Sequence, residues 1–221
     1  MAQLDAWFFG ALLGCSTIAC APSQHTPKAA PPRVESTTPA GFLEGKPGKV
    51  RSHQLDFPIE LSLPDKADWQ ISEGPSWLVL SQGASSSQLA LRTWRADRLV
   101  RRAECEAQAR LGRPSIPSPR EEAVVDRQTL SVPADFDNEL LVAVEPSARG
   151  ISGYAFVFGA STGRCYAAVF TTSVSGKDAE REVAARLGLV VDRVLSKVRV
   201  LSVDARAPRR HLVVTPKAAG E

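Results

Sequence analysis

The stretch GYAFVFGASTGRCYAAVFTTS, residues 153–173, carries the strongest fold information in this chain. Two apolar runs, Gly153–Phe158 and Arg164–Ser173, flank the small-residue segment GASTG at 159–163. Two such runs joined by a short segment that contains glycine are typical of a β-hairpin. The stretch therefore predicts two neighbouring antiparallel strands.

Further strands are predicted upstream of this hairpin. Apolar runs of strand length recur there, and turn-forming residues such as Pro64-Asp65 and Pro133 end them. These runs are FPIELSL at 57–63, Trp77–Leu80, Leu89–Trp94, Val124–Val132 and Asn138–Val144.

Two segments predict helices. Residues 98–111 are rich in helix formers and stop at Gly112, a typical C-cap residue. Apolar residues recur there at four-residue steps: Leu99, Ala103, Ala107 and Leu111. The second helix follows the S-x-x-D start signal at 175–178. Its apolar residues recur at three- and four-residue spacing: Val183, Leu187, Val190, Val194 and Val198.

The predicted order is strands, helix, strands, helix, without the βαβαβ alternation of a parallel sheet. It indicates an α+β fold in which helices pack on an antiparallel β-sheet. The stretches FPIELSLPDKADWQI at 57–71 and SWLVLSQGASSSQLALRTWRA at 76–96, with the 153–170 hairpin, resemble the Mog1/PsbP-type α/β/α sandwich. Bacterial lipoproteins of the DcrB type belong to that group. The resemblance covers residues 50–202 and implies a small binding or accessory domain, with no functional residues to carry over.

The N-terminus resembles a lipoprotein signal peptide. Residues 6–14, AWFFGALLG, are continuously apolar but too short to span a membrane. LLGC at 12–15 and TIAC at 17–20 both resemble a lipobox, so Cys20, or alternatively Cys15, is the predicted lipidated residue. The leading MAQLD departs from the pattern because it has no Lys or Arg. The alternative is a buried N-terminal helix.

A spacer follows this segment. Residues 21–48 contain six prolines and few large apolar side chains, which predicts an extended tether. No Asp follows either cysteine, so the lipoprotein resemblance implies an outer-membrane protein facing the periplasm. The predicted organisation is a signal peptide at 1–20, the tether at 21–48, one α+β domain at 49–204 and a disordered tail at 205–221.

The domain contains two cysteines, Cys105 and Cys165. If Cys20 is the anchor, these two remain in an oxidising compartment and a disulfide between them is predicted. If Cys15 is the anchor, Cys20 is left as an odd thiol. Helical phase argues against the bond, because Cys105 lies about 200° round the helix from Ala103 and its apolar stripe. Two buried free thiols, or one reactive thiol, are the alternatives.

One segment of the chain partly matches a catalytic motif. Ser161 lies in a G-x-S-x-G pattern, which in hydrolases requires a strand-to-helix turn. The residues after it alternate as a strand, and the histidines His25, His53 and His211 lie in the tether, at the domain edge and in the tail. No catalytic residue is therefore predicted. The sequence contains no HExxH or C-x-x-C zinc motif and predicts no cofactor.

Asp135, Asp137 and Glu139 resemble the start of a calcium loop. Leu140 occupies the position where such a loop requires glycine, so these carboxylates are interpreted as solvated residues and no metal site is predicted.

Two further groups have a binding and a structural interpretation. Arg98, Arg101 and Arg102 could bind an anion or a lipid headgroup, or could form the solvated face of a helix. The three tryptophans of the predicted domain could line a groove, but a chain with only two tyrosines needs them in its core. They are Trp69, Trp77 and Trp94.

The net charge of +3 is too small for a nucleic-acid-binding surface, and no nucleic acid is expected as a partner. The favoured function is a non-enzymatic cell-envelope lipoprotein that binds an unknown envelope protein. The alternatives are an envelope hydrolase with an unrecognised site and a carrier of a small apolar ligand.

Overall fold

The computed structural model describes residues 42–148 and 150–201. The predicted signal peptide with Cys15 and Cys20, most of the tether and the tail at 205–221 lie outside the described residues. His25 and His211 lie outside them as well.

The described residues form ten β-strands and two α-helices, all within one structural unit. The helices are α1 (Arg102–Gly112) and α2 (Ala179–Arg193). The strands are β1 (Pro47–Arg51), β2 (Ile59–Pro64), β3 (Gln70–Glu73), β4 (Leu78–Gln82), β5 (Ser87–Arg95), β6 (Val124–Leu130), β7 (Asp137–Ser147), β8 (Gly150–Ser161), β9 (Arg164–Val174) and β10 (Arg199–Val200). Neither helix is long and apolar enough to cross a membrane.

The strands build two antiparallel sheets. The larger sheet has the order β3-β4-β5-β9-β8-β7-β6, and the smaller has the order β1-β2-β10. The predicted hairpin is confirmed as β8–β9, with Ser161 opposite Arg164 and only Thr162 and Gly163 between them. Gly163 has a φ of +64°, a conformation that favours glycine. This hairpin joins the two halves of the large sheet.

A helix covers each face of the large sheet. Alternation along β8 sends Ala155 and Val157 into the cluster that contains the buried residues of α2, and Phe156 and Phe158 into the cluster of α1. The small sheet packs on the α2 side, where Ile59 and Leu61 of β2 join the same cluster. The predicted α+β class, with helices packed on an antiparallel sheet, is confirmed.

The apolar pattern predicted for α2 is correct, but the predicted C-terminal end of the helix is wrong. Val183, Leu187 and Val190 are buried against the sheet. The helix ends at Arg193, a 3₁₀ turn follows at Leu195–Lys197, and the last two valines of the pattern are buried beyond the helix. These residues are Val194 and Val198.

The buried face predicted for α1 is wrong. The helix begins at Arg102 rather than at residue 98, and Leu99 and Leu111 are 75% and 82% exposed. Cys105 and Ala109 are the buried residues of α1. The facing sheet surface carries large side chains such as Phe156, and small residues on α1 let the helix approach them.

The predicted boundary between tether and domain at residue 49 is also wrong. Phe42 and Leu43 are buried in the α2-side core, and the Phe42 ring lies 6.5 Å from that of Trp69. The guanidinium of Arg193 donates to the Leu43 carbonyl at 3.0 Å. These two large apolar residues bury enough surface to order a segment that is otherwise rich in Pro and Gly. The domain therefore includes Phe42.

Candidate functional site

A groove runs between the outermost strands of the large sheet and the flank of α2. Strand β6 is an edge strand, β7 lies beside it, and α2 crosses the same face. The groove has a volume of about 390 Å³. Its lining residues are Val125, Asp126, Gln128, Leu140, Val142, Val144, Glu180, Ala184, Leu187, Gly188, Val191 and Asp192.

The floor of the groove is aliphatic. Leu140 and Val142 of β7 face Leu187 of α2 there, and all three side chains are buried. On the exposed flank of α2 the small residues Ala184 and Gly188 keep the groove open, because a Cβ added at Gly188 would meet no atom within 4 Å. The floor therefore offers apolar surface that an occupant could cover.

The charge of the groove has one sign. Asp126 on β6 and Glu180 and Asp192 on α2 are all exposed, and no Lys or Arg occurs among the described residues that line the groove. Carboxylates around a low-dielectric floor attract cations more strongly than isolated surface carboxylates do. The groove therefore favours a cationic occupant with an apolar part.

Strand β6 adds backbone groups to this site. Among residues 42–148 and 150–201 it pairs only with β7, on its inner side, and the five residues between its two ends are exposed. A register shift between Val124 and Asp126 places Val125 at a bulge, where the residue is 63% exposed. A free sheet edge can pair with an extended segment of another polypeptide.

One arginine of the group suggested for anions pairs with carboxylates of the group suggested for calcium. The guanidinium of Arg102 lies 3.1 Å from Asp137 Oδ1 and 3.2 Å from Glu139 Oε2. Arg98 pairs with Glu104 at 2.7 Å. Arg102 thus forms ion pairs with two of the three carboxylates considered for calcium, whereas Arg98 pairs within its own segment.

Arg102 and Glu139 also line a second cleft, which lies on the α1 side of the sheet and has a volume of about 360 Å³. Phe156 and Phe158 form its floor, and Arg110 stacks over both rings at 5.6 and 5.5 Å. Three arginines and three glutamates line it: Arg102, Arg110, Arg127, Glu106, Glu121 and Glu139. Because these charges pair within the cleft, it has less preference for a charged ligand than the groove has.

Ser161 lies at the β8–β9 turn, where its hydroxyl accepts a hydrogen bond from Arg164 at 3.0 Å. His53 is exposed between β1 and β2, and its backbone N–H donates to the Glu73 carboxylate. The described residues place no histidine in hydrogen-bond contact with this serine. They also include no group of three or more His, Cys, Asp or Glu residues that could hold a metal ion.

The three tryptophans within the described part of the chain are core residues. Trp69 lies in the α2-side cluster, whereas Trp77 and Trp94 lie in the α1-side cluster. The Arg92 guanidinium lies over the rings of these last two, 5.8 and 4.7 Å from their centroids. The sheet therefore separates Trp69 from the others, and the three do not line one groove.

The predicted disulfide between Cys105 and Cys165 is confirmed. The two Cα atoms lie 5.5 Å apart, and both residues are fully buried. The bond joins α1 to β9 in the centre of the large sheet. The objection from helical phase fails because α1 buries the face of Cys105 and Ala109 instead of the expected stripe.

The sequence interpretation missed the groove. Its residues come from separate segments, and the alternation of polar residues in β6 indicates only a solvated strand. One feature of the sequence could have indicated the groove. Ala184 and Gly188 place two small residues at four-residue spacing on the outer flank of an otherwise well-patterned helix.

Comparison with known proteins adds little. No family model and no curated protein matches this chain. One similar solved structure is a crystal structure at 1.50 Å of a protein from Bacteroides thetaiotaomicron, with 9% sequence identity and a TM-score of 0.40. The match covers 72% of this chain and 49% of that one, so the chain spans about half the length of the matched protein.

Proposed function

We propose that this chain is a non-enzymatic, lipid-anchored protein of the bacterial cell envelope whose domain binds a partner polypeptide in the groove between β6 and α2. One observation carries the binding role: an aliphatic floor, three carboxylates and a free sheet edge meet in one groove. The edge provides backbone hydrogen bonds, the floor provides apolar contact, and the carboxylates select the partner by charge.

The disulfide and the N-terminal sequence support the proposed localisation in the cell envelope. Disulfides persist in oxidising compartments, and the buried Cys105–Cys165 bond suits an exported protein. The apolar run at 6–14 ends beside Cys20 and Cys15, the candidate lipidated residues. We place the domain on the periplasmic side of the outer membrane, held by the lipid on Cys20 and the Pro-rich tether.

The Mog1/PsbP-like kinship is part of this proposal. Its support is an antiparallel sheet with a helix on each face and the order of elements along the chain. That kinship implies a binding or accessory domain, which agrees with the role assigned to the groove.

A carrier of a small apolar ligand is the second candidate. The aliphatic floor of the groove favours it, and a volume of about 390 Å³ lies within the range of ligand pockets. The three exposed carboxylates and the free edge of β6 favour a polypeptide instead, because an apolar small molecule uses neither.

Site-specific photo-crosslinking tests the proposal. A photoreactive amino acid replaces Val125 in the full-length protein, made in the bacterium that encodes it, and envelope fractions are irradiated. The matched control replaces Ile71, which is 42% exposed on β3, the opposite edge of the same sheet. We expect one or a few defined envelope proteins to crosslink at Val125 and not at Ile71. Equal capture at both positions would refute partner binding in the groove.

The anchor has a separate test. We expect the mature protein to begin at a diacylated Cys20 and to partition into detergent, and Cys20→Ser to abolish both properties. Cys15→Ser is the matched control, and loss of lipidation in that variant alone would move the anchor to Cys15. Intact-mass measurement decides between them, and a soluble product that keeps Met1 would refute the anchor.

A further inference from the structure

We infer that the groove between β6 and α2 binds residues 206–214 of this same chain, RAPRRHLVV, and that this segment competes there with the partner. The inference rests on the proposed function, because it requires the groove to bind polypeptide. The occupant of the groove is then a segment of the same chain. This segment regulates partner binding by competing for the groove.

Charge complementarity is the first argument. Segment 206–214 contains Arg206, Arg209 and Arg210 and no carboxylate. The described lining of the groove contains three carboxylates and no Lys or Arg. Arginine pairs with carboxylates through two parallel hydrogen bonds, so the segment can satisfy the carboxylates of the rim directly.

Apolar complementarity is the second argument. Leu212, Val213 and Val214 follow the arginines after one intervening residue, His211. Branched aliphatic residues favour extended backbone, which is the conformation that pairs with an edge strand such as β6. In that conformation alternate side chains project from the sheet face that carries Asp126 and Gln128, which is the face that lines the groove.

The position of the chain exit is the third argument. The backbone N–H of Leu201, the residue after β10, donates to the Pro58 carbonyl at 2.8 Å. Arg199 lines a surface depression together with Val132, which follows β6, and Ser196, which follows α2. The described chain therefore ends close to the ends of both elements that form the groove.

The length of the chain is sufficient. The eight residue-to-residue steps from Leu201 to Arg209 can span up to about 28 Å when extended. The twelve helical rises along α2 from Glu180 to Asp192 cover about 18 Å. Segment 206–214 can therefore reach any point of the groove.

Crosslinking within the full-length protein tests the inference. The photoreactive residue at Val125 is activated in an equal mixture of ¹⁴N- and ¹⁵N-labelled protein, and crosslinked peptides are identified by mass. We expect links from position 125 to residues 206–214 within one isotope label. The Arg209→Glu/Arg210→Glu double variant should reduce these links roughly tenfold, because it replaces exposed attractive pairs by repulsive ones.

Two controls accompany this experiment. Lys46→Glu/Arg51→Glu makes the same change of charge at exposed residues that do not line the groove, and we expect it to leave the links unchanged. Moving the photoreactive residue to Ile71 should abolish them. Links only between different isotope labels would assign the groove to a second copy. That result, or no link from position 125 to residues 206–214, would overturn the inference.

The same variants separate this inference from partner binding. If the segment competes with the partner, Arg209→Glu/Arg210→Glu should increase the capture of envelope protein at Val125. If no internal links form and the double variant captures as much envelope protein at Val125 as the unmodified chain does, the competition is refuted. The proposed function then stands. Internal links without any captured envelope protein, even in the double variant, refute partner binding and leave the segment as the occupant of the groove.

Discussion

The guanidinium of Arg186 in α2 donates a hydrogen bond to the backbone carbonyl of Ser85, 101 positions earlier in the chain, at 2.5 Å. The same guanidinium pairs with Glu182 one helical turn away and donates to the Thr172 hydroxyl at 3.1 Å. Arg186 and Glu182 are only 3% and 9% exposed. This buried pair ties α2 to β9 and to the turn between β4 and β5.

Removing one member of this pair should be costly. Arg186→Met leaves the Glu182 carboxylate buried without its cation, and we expect the free energy of unfolding to fall by about 3–5 kcal/mol. Urea denaturation measures the change. The double variant Arg186→Met/Glu182→Leu should recover most of the loss, because it leaves no unpaired buried charge. A double variant less stable than the single one would contradict this account.

The disulfide should stabilise the domain. Cys105 and Cys165 are separated by 60 residues, and in the chain-entropy model closing such a loop contributes about 4 kcal/mol. We expect the Cys105→Ala/Cys165→Ala variant to unfold at lower denaturant concentration than the oxidised protein, by a comparable free energy. Because the bond is fully buried, reductant should act on it only after unfolding. Free thiols at these positions in the oxidised, unfolded protein would contradict the bond.

The alkaline limit of stability should depend on Tyr166. Burial raises the pKa of Tyr166 well above its usual range. A group with a raised pKa in the folded state contributes its stabilisation fully below the unfolded value, about 10, and this contribution is lost as the pH rises above that value. We therefore expect stability to fall above about pH 10, and the phenolate absorbance of Tyr166 to appear only with unfolding.

Burial also raises the pKa of Tyr154, the other tyrosine of the chain. The Tyr166→Phe variant is therefore the control for the titration, because Tyr154 is the tyrosine that remains in it. The Tyr166 hydroxyl has no hydrogen-bond partner among the described residues, so its removal should stabilise the protein by about 1 kcal/mol and reduce the alkaline loss. A variant of lower stability would indicate a hidden partner for the hydroxyl.

Two glycines should respond to alanine in opposite directions. A Cβ added at Gly188 in α2 meets no atom within 4 Å, and alanine favours the helix, so Gly188→Ala should raise the free energy of unfolding by about 0.5–1 kcal/mol. In β8, a Cβ added at Gly153 would lie 2.4 Å from Val183 Cγ1. Gly153→Ala should therefore destabilise the protein by about 1–3 kcal/mol. Thermal unfolding compares the stability of the two variants. Equal changes in stability would contradict the close packing of α2 on β8.

Local pattern was sufficient for several elements. The hairpin follows from the alternation of apolar residues around a glycine-containing turn, and both determinants lie within about twenty residues. The valines of α2 were predicted correctly because that helix lies on a broad apolar sheet face that covers its whole stripe. Strands β3 and β10 were missed because each is short and at least half exposed, and only pairing with a neighbouring strand defines it.

The sequence by itself determined the antiparallel α+β architecture and limited the disulfide to one pair of domain cysteines, because these depend on residue order and short-range periodicity. The tertiary structure alone decided which face α1 buries, since the large aromatic residues opposite it accept Cys105 and Ala109 and leave Leu99 and Leu111 exposed. It also brought Phe42 into the core and assembled the groove from β6, β7 and α2. The physical reason is the same in each case: burial of a side chain depends on the shape of a surface contributed by distant segments, which periodicity within one segment does not describe.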